Sequence, residues 1–102
     1  MPAIDTAREV QQLLERHDFG QAVTVAERWT QRQPGVYAAW VALARAALGH
    51  GLLGRADEAI ARAFSMAPKD PQAAFFRAVI DYRIGRSDAA IERLTPLADR
   101  KS

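Results

Sequence analysis

The chain repeats itself at a fixed period, and this restricts the fold more than any other feature of the sequence. Pro34 and Pro68, Tyr37 and Pro71, Trp40 and Ala74, and Gly51 and Gly85 are each 34 positions apart, with no gap needed. Ala22, Ala56 and Ala90 form one column of the repeat, and Ala26, Ile60 and Leu94 form another. Three copies, at about 3–36, 37–70 and 71–102, account for the 102 residues as a single domain. A period of this length marks a stacked supersecondary unit. Each copy buries only part of its apolar face alone, and stacking joins those faces into a continuous core.

Each copy reads as two helices. In the middle copy Trp40, Leu43, Ala44 and Ala47 fall at i, i+3, i+4 and i+7, the spacing of one helical face. Gly49-His50-Gly51 breaks that helix. Ala56, Ile60, Ala63, Phe64 and Ala67 stripe the next, which Pro68 ends because proline cannot continue the hydrogen-bond ladder. The start of this second helix is ambiguous by about one turn, since Gly54 also reads as a turn residue. In the first copy Thr6, Val10, Leu13 and Leu14 stripe one helix, and His17-Asp18-Phe19-Gly20 forms the turn. Ala22, Ala26 and Trp29 stripe the second, and Pro34-Gly35 stops it. The third copy starts at Pro71, suited to a first helical turn, and carries Phe75, Ala78, Val79 and Tyr82 as its stripe. Its second helix would run through Ala90, Ile91, Leu94 and Leu97, with a kink or an early end at Pro96. No segment alternates like a strand. The expected fold is all-α, six helices in three antiparallel hairpins, with alanines at close helix contacts and larger residues filling the gaps opposite them.

Composition narrows the function. No apolar run approaches the roughly 20 residues of a membrane span, so no membrane insertion is expected. Met1-Pro2-Ala3-Ile4-Asp5 lacks the basic and apolar regions of a secretory signal, which gives a cytoplasmic reading. There is no cysteine, and hence no disulfide scaffold, thiol nucleophile or cysteine-ligated metal. The net charge of +2 comes from 14 basic residues, 12 of them Arg, against 12 acidic ones. The Arg residues are scattered, where nucleic-acid binders cluster their charge, so no nucleic-acid partner is expected. His17 and His50 fall in equivalent turns about 10 Å apart on usual helix-packing distances, too far to share a metal. No hydroxyl or thiol stands beside the His17-Asp18 pair, and no strand precedes a glycine-rich phosphate loop. Asp57, Glu58, Asp88 and Glu92 suit the helix dipole near second-helix starts. The chain is therefore expected to be no enzyme and to carry no cofactor and no metal.

The spacing Trp40-x2-Leu43-Ala44-x2-Ala47-x3-Gly51-x-Leu53-x2-Ala56-x3-Ile60-x2-Ala63-Phe64-x3-Pro68 resembles a tetratricopeptide repeat (TPR), and three copies in one frame cover essentially the whole chain. The resemblance implies a short right-handed solenoid that binds other proteins, with a partner's peptide or helix in a concave groove lined by the first helix of each hairpin. Carried over by position, that groove holds Ile4, Ala7, Gln11, Leu14, Ala38, Val41, Arg45, Leu48, Gln72, Phe75, Val79 and Tyr82, with Arg8 and Arg83 at its rim. The positions that grip a C-terminal carboxylate in one subgroup hold Ala7, Gln11, Ala42, Gln72 and Phe76, so that clamp is missing.

Trp29 replaces the family's usual Ala, and Arg77 and Asp81 stand where it has Leu and an aromatic. The latter two are expected to pair on the helix surface, with that helix rotated from the family register to bury Phe75 and Tyr82. Phe75, Val79 and Tyr82 read equally as an apolar contact patch or as core. Arg45 reads as a cation that pairs a partner carboxylate, stacks on Tyr82, or is simply solvated.

The favoured function is a protein-interaction module or scaffold. Alternatives are a non-catalytic regulatory part of a larger bacterial enzyme such as a transferase, as similar Ala- and Arg-rich arrays suggest, and a self-associating structural unit. Ile91, Leu94 and Leu97 lack a capping helix. This leaves a fragment, a homo-oligomer formed through the uncapped last helix, or marginal stability.

Overall fold

The computed structural model describes residues 3–85, with side chains from Thr6 onward. It contains five helices in order: α1 (Ala3–Glu15), α2 (Phe19–Arg32), α3 (Tyr37–Gly49), α4 (Leu53–Met66) and α5 (Pro71–Ile84). The expected sixth helix, with Ala90, Ile91, Leu94, Pro96 and Leu97, lies outside the described residues. No strand occurs among those described.

Local chemistry sets the helix ends, and it repeats with the sequence. His17, Gly51 and Gly85 share one column of the repeat, and all adopt left-handed backbone, with φ of 60°, 83° and 103°. Behind the first two, the Asp18 N–H reaches the Leu13 carbonyl (2.9 Å) and the Leu52 N–H reaches that of Ala47 (2.8 Å). These bonds close the helix ends by the six-to-one pattern that a left-handed residue permits. α5 starts at Asp70, whose carboxylate accepts from the Gln72 N–H at 2.9 Å, with Pro71 in the position that needs no donor. α4 starts at Leu53, which settles the ambiguous turn after Gly51.

The core is built on small residues. Ala22, Ala26, Ala44, Ala56 and Ala63 are completely buried, and Ala78 nearly so. Val10, Ile60 and Ile80 supply the volume between them. Each helix packs on the next, and the first helices also touch, α1 on α3 and α3 on α5. Among the described residues the second helices α2 and α4 make no such backbone approach; long side chains span them in the Arg55–Glu27 ion pair. First helices that touch and second helices that splay bend the stack, so α1, α3 and α5 line its inner side.

α5 departs from the sequence-based expectation. Its buried face is Ala73, Ala78, Ile80 and Asp81, while Phe75 and Tyr82 are 51% and 68% exposed. The helix therefore keeps the register of α3, whose buried Ala39, Ala44, Ala46 and Ala47 stand one repeat before Ala73, Ala78, Ile80 and Asp81, rather than rotating. Asp81 also does not lie on the helix surface, where the sequence places a pair with Arg77. Asp81 is 1% exposed, and the Arg77 guanidinium lies over the Phe64 ring, 4.7 Å from its centroid.

If alanine columns set the helix spacing, enlarging one must cost stability. Ala56→Leu is expected to lower the unfolding free energy by about 1–3 kcal/mol. Urea melts of the two proteins measure this, and coincident midpoints would remove the proposed contact.

Candidate functional site

Two adjoining cavities open on the inner side. The first is floored by Val10, Trp29 and Tyr37 and walled by Ala7, Gln11 and Leu14 of α1, Ala38, Val41, Ala42 and Arg45 of α3, and Gln72 of α5. The second lies where α1, α3 and α5 end, between Leu14, His17, Phe19, Arg45, Leu48, Gly49, Phe76 and Arg83. Each encloses about 310 Å³. Leu14 and Arg45 belong to both. Of the residues placed in a groove by position, the structure brings Ala7, Gln11, Leu14, Ala38, Val41, Arg45 and Gln72 to the first cavity and Leu48 to the second.

Phe75, Val79 and Tyr82 line neither cavity. They occupy the α5 positions one repeat beyond Val41, Arg45 and Leu48 and extend the same face. Val41 is buried between its neighbours, whereas Phe75 and Tyr82 stand in solvent. Arg8 is exposed and lines neither cavity. The side chain of Ile4 lies outside the described residues.

Arg45 does not stack on Tyr82. Its guanidinium sits 5.8 Å from the centroid of Phe76, which makes an edge contact with Phe75 at 5.4 Å. Aromatic faces attract guanidinium groups, so Phe76 holds Arg45 over the junction of the two cavities. Among the described residues no carboxylate lines either one.

Sequence reasoning weighed His17 as a turn residue and a metal ligand but missed its place in the second cavity. It replaces the glycine of the two sister turns, at a cost of about 1–2 kcal/mol for a side chain in left-handed backbone. Its ring stacks on Phe19, with centroids 5.4 Å apart and planes 15° from parallel. Phe19 in turn lies where a Cβ on Gly49 would be, 2.5 Å from its ring, so Gly49 lets α3 close against α2. The signal available in the sequence was the histidine in an otherwise glycine column. Trp29 had a similar signal, since its counterpart in the next repeat is Ala63; its indole N–H donates to Gln33 at 2.9 Å and its ring floors the cleft. The His50 ring lies against Gly20 instead of meeting His17.

The Tyr37 hydroxyl is buried at the start of α5, beside the Asp70 carboxylate but without the alignment of a full hydrogen bond. Burial first, and the Asp70 charge second, push its pKa above 10.0; the Ala73 N–H works the other way. The unfolded chain therefore releases this proton at lower pH than the folded one. The contribution of neutral Tyr37 is intact below pH 10 and is lost as pH rises through its folded pKa. Tyr37→Phe should relieve this part of the alkaline loss, so that its urea stability relative to wild type improves steadily from pH 9 to pH 11.5. A constant difference across that range would contradict the burial of the hydroxyl.

No family model and no curated protein matches the sequence. Solved structures do match the fold. A MamA RS-1 ArsTM double mutant superposes with a TM-score of 0.85 at 22% identity, over 91% of this chain and 52% of that one. MamA from residue 41 to its end, from Desulfovibrio magneticus RS-1, gives 0.86 at 21% identity, over 92% and 53%. The chain thus spans about half the length of the MamA structures it matches. None of the described helices is long and apolar enough to cross a membrane. The fold is an all-helical repeat of the tetratricopeptide type.

Proposed function

We propose that the chain is a non-catalytic protein-interaction module that holds a peptide or helix of a partner protein along the inner face of α1, α3 and α5. The observation that carries this reading is the composition of that face. It offers an apolar cleft bordered by Gln11, Gln72 and Arg45, continued by the exposed rings of Phe75 and Tyr82. Solvent-facing aromatics beside a half-buried arginine are the usual anchors of a protein contact. The resemblance to tetratricopeptide repeats agrees, since such arrays generally bind proteins on their first helices. Self-association through the last apolar stripe of the sequence, Ile91, Leu94 and Leu97, which lies outside the described residues, forms the second reading.

Selection of random peptides displayed on phage tests the proposal. Peptides enriched on wild type should bind the Arg45→Glu, Tyr82→Ala double variant at least tenfold more weakly, about 1.4 kcal/mol, with the helical circular dichroism unchanged. Enriched peptides that bind both proteins equally would place the contact elsewhere. Absence of enrichment, with a dimer or larger mass by light scattering, would favour self-association.

A further inference from the structure

We propose that the second cavity is an anion subsite in which His17, Arg45 and Arg83 receive the carboxylate of an acidic residue of the bound peptide. This rests on the reading of the inner face as a peptide groove, and it adds the chemistry that one end of the groove selects.

Three observations converge on this cavity. First, its wall carries two guanidinium groups and an imidazole, and among the described residues no carboxylate faces them. An anion that enters can pair with each of these donors without displacing a carboxylate already there. Second, Leu14, Phe19, Leu48 and Phe76 make up most of the remaining wall. These apolar neighbours displace part of the water around a bound carboxylate, which strengthens its pairing. Phe76 also holds the Arg45 guanidinium in place at 5.8 Å, so less side-chain freedom is lost on binding. Third, His17 occupies a left-handed position, φ 60°, where both sister turns carry glycine. A side chain kept in strained backbone that glycine would relax points to a use for that side chain, and the imidazole lines this cavity.

The cavity lies where α1, α3 and α5 end, and helix C-termini themselves attract cations. The test therefore separates ligand binding from service to the helix ends. The probe is the tetrapeptide acetyl-Leu-Glu-Glu-Leu-amide. Its neutral counterpart carries Gln in place of both Glu, and inorganic phosphate is the third ligand. Nuclear magnetic resonance follows the Nε–H groups of Arg45 and Arg83, the His17 ring, and the backbone amides of Ala38 and Ala42.

The acidic peptide should shift the two guanidinium groups and the imidazole saturably. His17→Gly and Arg83→Gln should each weaken it about tenfold, the size of one charge-assisted hydrogen bond. His17→Gly should at the same time raise the melting temperature, because glycine relaxes the turn. A variant that is more stable and yet binds less well cannot be explained by a structural role. The subsite is overturned if the neutral peptide binds as well as the acidic one, if phosphate binds more tightly than the acidic peptide, or if His17→Gly lowers the melting temperature and leaves affinity unchanged. Shifts of Ala38 and Ala42 by the neutral peptide would then show that the groove reading stands alone. Shifts of His17, Arg45 and Arg83 by the acidic peptide, with Ala38 and Ala42 unmoved by either ligand, would keep the subsite and remove the groove.

Discussion

Close contact between alanines is the constraint from which the rest of this structure follows. Ala44, Ala56 and Ala63 are fully buried and Ala78 nearly so, and a methyl group at such a contact lets two helix backbones approach without a void. The contacts are asymmetric. α1, α3 and α5 reach one another, while α2 and α4 are bridged by the long side chains of Glu27 and Arg55. That asymmetry curves the stack, and curvature turns three helix faces into a cleft. The site is thus a by-product of core packing, which explains how Val41 can be buried and still line it.

Two residues in α5 show how far packing overrides local pattern. By apolar spacing alone, Phe75, Ala78, Val79 and Tyr82 form a convincing buried stripe. The structure instead buries Asp81 and lays Arg77 on Phe64. A guanidinium can do this because its planar, weakly hydrated head covers an aromatic face while its stem packs as hydrocarbon. Three arginines behave this way: Arg45 on Phe76, Arg62 on Trp40 and Arg77 on Phe64. Three of the 12 arginines that read as surface charge therefore also cover aromatic rings.

The helical architecture was legible because it rests on period and punctuation, which a single sequence displays. The helix ends near His17, Gly51 and Gly85 follow the columns of the repeat, and Pro71 and Asp70 mark the start of α5 as expected. Which residues of α1 and α3 line the cavities was legible for the same reason. The phase of α5 was not, because it depends on which face packs better against α4 and not on hydrophobicity along the helix. His17, Phe19 and Gly49 were not recognised as neighbours of Arg45 either. Their meeting depends on how closely α2 approaches the end of α3, which Phe19 against Gly49 decides. The difference between His17 and its glycine counterparts was visible in the sequence, but its meaning required the backbone angle.

The phase of α5 carries the account, since it decides whether Phe75 and Tyr82 belong to the core or to the exposed inner face. The protein has no cysteine, so single thiols can report it directly. Ala73→Cys, Ala78→Cys, Phe75→Cys and Tyr82→Cys would be treated with a thiol-specific reagent under native conditions. The account predicts that thiols at 75 and 82 react at the rate of an unfolded peptide, while those at 73 and 78 react about a hundredfold or more slowly, limited by opening of the stack. Protection at 75 and 82 with ready reaction at 73 and 78 would place the rings in the core and contradict the face on which the proposed function stands.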